Sequence, residues 1–170
     1  MPARADSFDL GGLKLLPGEG RRLDLEVALG DFDFGTERYS TPATVPVRLD
    51  VSRMVGGGYS LRLRFDSEIN GPCVRCLEPA APVTSVDVRE VDQPGGGEEL
   101  TSPYVDGDEL DLHGWAHDAF SLALPAQVLC TPECLGLCPQ CGANLNADPQ
   151  HAHEAAPDAR WAKLRELKFE

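Results

Sequence analysis

The sequence is short of positive charge. Fifteen Lys and Arg stand against 28 Asp and Glu, giving a formal net charge of -13 and an isoelectric point near 4.6. A protein that holds nucleic acid by neutralising phosphates carries the opposite balance, so any RNA contact must come from a local basic patch. Acidity of this degree keeps a protein soluble and also suits a basic protein partner. Long apolar runs are missing too. No stretch approaches the ~18 apolar residues of a membrane span. The opening MPARADSFDLGG has no basic segment leading into an apolar one, so no secretory signal is expected. The expected location is the cytoplasm, where thiols stay reduced. Six cysteines there point to metal binding or redox chemistry rather than to three disulfides.

Catalytic signatures are missing as well. There is no Gly-x-Ser-x-Gly elbow and no phosphate-cradling P-loop. A zinc deaminase would show His-x-Glu before its Pro-Cys-x-x-Cys, and no His-x-Glu stands here. His113 and His117 lie one helical turn apart but lack the Glu and third ligand of a metalloprotease helix, so they read as surface residues. No internal repeat is present.

What is there begins with a period of two. RRLDLEVAL at 21–29 and VPVRLDV at 45–51 alternate apolar with polar residues, as half-buried strands do. Gly56–Gly58 make a hairpin turn, and YSLRLRFDSEI at 59–69 returns with Leu61, Leu63 and Phe65 inward. GPCVRC interrupts the ladder before VTSVDVREV at 83–91 resumes it. Four antiparallel strands are the economical arrangement. Residues 1–20 read as an irregular surface arm, 31–44 as polar turns and 92–103 as a flexible loop.

The period then changes. Residues 109–124 place Leu112, Trp115, Ala119, Leu122 and Ala123 on one helical face, with Asp111 as cap and Pro125 as stop. A short terminal helix is expected over 158–168, capped by Asp158, with Trp161, Leu164 and Leu167 on one face. The expected fold class is α+β. Residues 1–20 form the arm, 21–124 an antiparallel sheet plus helix, and 125–170 a Cys/His-rich zinc-binding segment ending in the short helix.

The chemistry lies in the cysteines. CVRC (Cys73, Cys76) and CPQC (Cys138, Cys141) have the two-residue gap that turns both sulfurs toward one ion. In CPQCG a Pro bends the chain and a Gly can take positive φ after the second sulfur, the build of a zinc knuckle. CTPEC adds Cys130 and Cys134, and QHAHE adds His151 and His153, whose imidazoles can project to one side of an extended segment. Eight candidate ligands suffice for two tetrahedral zinc sites. The pairing expected is Cys73 and Cys76 with Cys130 and Cys134, then Cys138 and Cys141 with His151 and His153. A single ion wrapped by the four sulfurs from Cys130 to Cys141 is the alternative. A redox dithiol would sit at a helix N-terminus after a strand. CVRC lies between strands and CPQC among other cysteines, so a thiol oxidoreductase is the weaker expectation.

CVRCLEP after a strand, a helix ending LALP, CTPECLGLCPQCGANLN and a terminal D-x-R-W-x-x-L element together resemble the YceD family, the large ribosomal RNA subunit accumulation proteins. The likeness runs from about Val45 onward, and CLGLCPQCGANLN is its most specific part. It implies a non-enzymatic role in accumulation of the large-subunit rRNA, and coupling to a small basic ribosomal protein. Relatives of this kind carry Cys-x-Cys where this chain has His151-x-His153, an exchange that keeps two metal-competent ligands. The terminal PDARW departs from the more compact Asp-Pro-Arg.

Two modes of action follow. In one, Arg48, Arg62 and Arg64 on the outer sheet face, with Arg75 and Arg53 nearby and Arg160, Lys163, Arg165 and Lys168 at the C-terminus, contact rRNA or a pre-ribosomal particle through phosphates. In the other, the acidic chain escorts a basic ribosomal protein without touching RNA.

Overall fold

The computed structural model describes residues 6–153. The expected helix over 158–168 and its four basic residues lie outside them. Eleven strands and one α-helix are present among the described residues. They are β1 (Ser7–Asp9), β2 (Gly20–Val27), β3 (Phe32–Phe34), β4 (Glu37–Tyr39), β5 (Val45–Arg53) and β6 (Tyr59–Glu68). Then follow β7 (Gly71–Pro72), β8 (Pro79–Ala80), β9 (Val83–Asp92), β10 (Val105–Asp106), β11 (Glu109–Asp111) and α1 (Leu112–Ala123).

The main sheet is antiparallel with order β2-β5-β6-β9, so each long strand pairs with a neighbour in sequence. Alternation decides its two faces. Val45, Val47, Leu49 and Val51 of β5 are buried, as are Tyr59, Leu61, Leu63 and Phe65 of β6. Arg48, Ser52 and the β6 arginines point the other way. The β5–β6 turn depends on glycine: Gly58 has φ 76°, and a Cβ there would lie 1.9 Å from the Asp92 carbonyl oxygen.

Helix α1 covers the apolar face. Asp111 caps it by accepting the Gly114 N–H at 2.8 Å. Leu112, Trp115, Ala116, Ala119 and Phe120 are buried, and the Phe120 ring meets Phe32 and Phe65 at centroid distances of 5.6 and 6.2 Å. Leu122, expected on the buried face, is 88% exposed. Ala123, expected there too, is exposed as well, and the packed stripe is rotated toward Ala116 and Phe120.

Three loop segments are more ordered than the sequence suggested. Within the expected arm, β1 pairs with β11, and Leu10 is buried beside α1's entry. The polar stretch 31–44 holds the β3–β4 hairpin, whose Phe32 and Tyr39 are buried. Its charged residues hid a DFDF alternation with apolar rings on one side. The 92–103 loop is closed at its base, where Ser102 N–H donates to buried Asp92 at 3.2 Å and Gln93 N–H to Leu100 O at 2.7 Å. His113 and His117 are also not free surface residues. Their Nδ1 atoms lie 2.6 Å from Ala28 O and 2.7 Å from Leu29 O, tying the helix to the end of β2, and His117 stacks on Phe32 at 4.4 Å.

Candidate functional site

Where β6 ends, the chain makes a narrow ribbon of β7, a turn and β8 that carries Cys73 and Cys76. Cys73 N–H donates to Glu78 O at 2.8 Å, and Leu77 N–H closes the turn on Cys73 O at 2.9 Å. Val74 N–H donates to Val128 O at 3.0 Å, which brings the chain after α1 alongside. Pro132 forces a turn in CTPEC, closed by Cys134 N–H on Thr131 O at 3.1 Å. The four sulfurs of Cys73, Cys76, Cys130 and Cys134 therefore converge, all within 4.8 Å of one another. Cys73–Cys134 and Cys76–Cys130 are 3.8 and 3.5 Å apart. A disulfide needs about 2.05 Å. A tetrahedral centre with metal–sulfur bonds of about 2.3 Å sets its donors about 3.8 Å apart.

The electrostatics of this quartet suit a cation. Burial alone would raise the Cys73 thiol, but N–H groups of Arg75, Cys130 and Cys76 aimed at its sulfur bring it down to about 6. The Asn146 amide does most to lower Cys134. Cys76 goes the other way: the Glu78 N–H lowers it, but burial and three neighbouring sulfurs push it up to about 12. The quartet thus favours negative charge on Cys73 and Cys134 and resists it on Cys76 and Cys130, an imbalance that a divalent ion would relieve.

The second quartet is Cys138, Cys141, His151 and His153, again within 4.8 Å. CPQC folds as CVRC does, with Gly142 N–H donating to Cys138 O at 2.8 Å and Cys138 N–H to Ala143 O at 2.8 Å. The N–H groups of Gln140 and Cys141 lower the Cys138 thiol. Both imidazoles present Nε2 to Cys141 Sγ, at 3.1 and 3.2 Å, with the two Nε2 atoms 2.9 Å apart. Asp148 Oδ2 stands 3.8 Å from His151 Nδ1, the ring nitrogen turned away from Cys141, a distance too long for a hydrogen bond. Cys138 is buried and Cys141 and His153 are exposed, so this quartet is the more open. Each quartet has the donors and the spacing to hold a metal ion.

Sequence reading missed the structural role of two residues beside the quartets. Asn146 Nδ2 donates to Cys134 Sγ at 3.4 Å, while its Oδ1 accepts the Leu135 N–H at 2.8 Å. The hairpin of the second quartet thus props a sulfur of the first. The signal was the paired Asn in ANLN, a turn residue twice over. Arg75 reaches the Cys134 carbonyl at 3.0 Å and Gln127 at 3.3 Å, so it belongs to the metal-centre end of the protein.

Arg48, Arg62 and Arg64 share the outer sheet face, with Arg48 and Arg64 directly opposite across β5–β6. Each is engaged by a carboxylate. Arg62 grips Asp87 with two bonds, at 2.7 and 2.6 Å, Arg64 bonds Asp50, and Arg48 meets Asp24 at 3.4 Å. Among the described residues no helix is long and apolar enough to cross a membrane.

Comparison with known proteins places this geometry in context. Residues 61–168 match the family model described as large ribosomal RNA subunit accumulation protein YceD. An uncharacterized protein of Mycobacterium tuberculosis (strain H37Rv) is 39% identical over 103 residues, covering 57% of this chain and 49% of that protein. One from Mycobacterium leprae is 32% identical over 102 residues, covering 56% and 46%. The chloroplastic YCED homolog 1 of Zea mays, named as a large ribosomal RNA subunit accumulation protein, is 31% identical over 179 residues, covering 83% and 58%. The chain spans about half the length of the curated relatives it matches. No solved structure matches it. With the matched segment running from β6 through both quartets, the chain belongs to the YceD family of large ribosomal RNA subunit accumulation proteins.

Proposed function

We propose that this protein is a non-enzymatic, cytoplasmic factor in large ribosomal subunit biogenesis, supporting accumulation of the large-subunit rRNA. Two structural zinc ions fasten its Cys-rich segment to the sheet. The observation that carries this is the pair of complete four-donor sets, one of four sulfurs and one of two sulfurs and two imidazoles. Sulfur and imidazole donors gathered in fours suit zinc, and a full set of four protein ligands leaves no position for a reacting water, as a catalytic zinc would need. A thiol oxidoreductase fits less well, because Cys73 and Cys76 sit in a quartet between short strands instead of at a helix N-terminus.

Two modes of action can serve this role. Direct RNA contact would run through Arg48, Arg62 and Arg64 on the sheet, with Arg75 at the metal-centre end. The aspartates already bound to the three sheet arginines, and a net charge of -13, favour the second mode, an acidic escort for a basic ribosomal protein. Phosphate binding would have to displace those carboxylates.

Elemental analysis of the purified protein is expected to give two zinc ions per chain, surviving dialysis. Deleting the gene is expected to lower the ratio of large- to small-subunit rRNA. Metal-free protein that turns over a dithiol substrate, or an unchanged rRNA ratio, would overturn the proposal. Titration with large-subunit rRNA at several salt concentrations separates the modes: a steep salt slope supports phosphate contact, and binding only to a basic ribosomal protein supports the escort.

A further inference from the structure

The two knuckles are built alike, with one difference. In each, the residue after the second cysteine closes the turn on the carbonyl of the first, and in each it takes left-handed backbone, φ 74° at Gly142 and 63° at Leu77. Glycine adopts that conformation without cost; a leucine does not. Leu77 and Lys14 are the only non-glycine residues of positive φ among the described residues. The strain is not offset by burial, because the Leu77 side chain is 68% exposed. Strain of this kind, held by a rigid turn and not offset by packing, points to a functional use of the side chain.

Leu77 stands at the end of an apolar track. A groove of about 470 Å³ runs from Leu77 over Pro79 to Ala81. Ala81 is shared with a second groove, of about 400 Å³, that continues past Pro82 and Pro132 to Pro125. Pro125 is shared with a third, of about 340 Å³, which reaches Val74 and Phe34. Val74 and Phe34 are themselves 50% and 45% exposed.

The charge beside this track differs from that of the sheet face. Glu78 follows Leu77, Glu133 follows Pro132, and Glu68 accepts a bond from Asn70, a lining residue. All three are exposed, and among the described residues no cation pairs with any of them. The neighbouring cation, Arg75, is held by Cys134 O and Gln127.

We infer that the track beside the first quartet is a docking site for a basic polypeptide segment, an extended Lys/Arg-rich stretch that seats an aliphatic side chain against Leu77 and sets its cations among Glu68, Glu78 and Glu133. This rests on the escort mode proposed above. The metal quartet presents the strained leucine in a fixed position, so little order is lost on binding. Nucleic acid is the poorer occupant, since among the described residues beside the track it would meet three unpaired carboxylates against one arginine, Arg75.

The test uses the full zinc-loaded chain and labelled peptides spanning the basic large-subunit ribosomal proteins, followed by fluorescence anisotropy. At least one peptide is expected to bind. Leu77→Gly is expected to weaken it by about tenfold, the size of a modest anchor residue, while zinc content stays the same and the melting temperature is equal or higher. Glu68→Gln, Glu78→Gln and Glu133→Gln together are expected to lower affinity and flatten its salt dependence. The inference is overturned if no peptide binds, or if Leu77→Gly binds as tightly as the native chain. It is also overturned if that variant melts lower, which would mean the leucine packs against its own chain, or loses only self-association or rRNA affinity. The outcomes separate from those of the proposed function. A gene deletion that lowers the rRNA ratio, fully restored by Leu77→Gly, removes the docking site and leaves the family role. An unchanged rRNA ratio removes the family role whatever the peptides do.

Discussion

Asn146→Ala should weaken metal binding at the first quartet although residue 146 ligates nothing. The side chain gives one bond to the Cys134 sulfur and takes one from the Leu135 N–H. A hydrogen bond to a charged acceptor is worth about 1.5–3 kcal/mol and a neutral backbone bond about 1. Asn146 is exposed, so water recovers part of both. A net loss of about 1.5–2.5 kcal/mol remains, equivalent to a fall of about 10- to 60-fold in affinity, within the range for ligand-orienting groups. Competition of the zinc-loaded protein against a chromophoric chelator resolves the two ions. The first quartet should release its ion more readily while the second changes little. Asn146→Asp is the sharper variant. It keeps the acceptor for Leu135 but removes the donor and places a negative charge beside a thiolate, so it should bind more weakly than Asn146→Ala. Equal affinities for Asp and Ala would show that the amide-to-sulfur bond has no electrostatic role.

Further consequences are open to measurement. Cys73→Ser should drop zinc from two ions to one and loosen the contact between the Cys-rich segment and the sheet; unchanged zinc content counts against the pairing. Cys141→Ser should also cost one ion yet leave the sheet signal in far-UV circular dichroism intact, because none of the β2-β5-β6-β9 ladder depends on that quartet. Gly71→Ala should destabilise the first knuckle, since a Cβ there would lie 2.1 Å from the Tyr39 ring; a melting temperature like the native one contradicts this. Burial would raise the Asp50 carboxyl, but Arg22 and Arg64 hold it below its ordinary range. Its contribution is thus present above the unfolded value of about 4 and fades as pH falls through the lower folded value. The stability gap between native and Asp50→Asn protein, from urea unfolding, should close across that acid window; a constant gap would refute it.

Much of the fold was legible because the long strands alternate cleanly. Val45, Val47, Leu49 and Val51 could face only one way. The four-strand order followed from short connections, and the convergence of the ligand residues was suggested by repeated two-residue gaps. What stayed hidden depended on the third dimension. The charges of DFDFGTERY masked an aromatic hairpin, and β1 is too short to show a period. His113 and His117 look solvent-facing until the end of β2 brings two carbonyls to them. The arginines of β6 could be placed on the outer face, but only the register sets Asp87 and Asp50 beside them. Asn146 and Arg75 act on a sulfur and a carbonyl of a distant turn, which spacing along the chain does not reveal.

The quartets differ in how much chain they enclose. The first joins positions 61 and 54 residues apart; the second joins positions separated by 10 and 12. Closing the longer loop costs about 1.6 kcal/mol more in chain entropy. In refolding, the compact loop should therefore capture its ion early and by itself, while the distant one waits for the sheet to bring CVRC into position. Scarce metal would then give a graded population, with chains folded in the sheet and loaded at the tail but unlatched between the two.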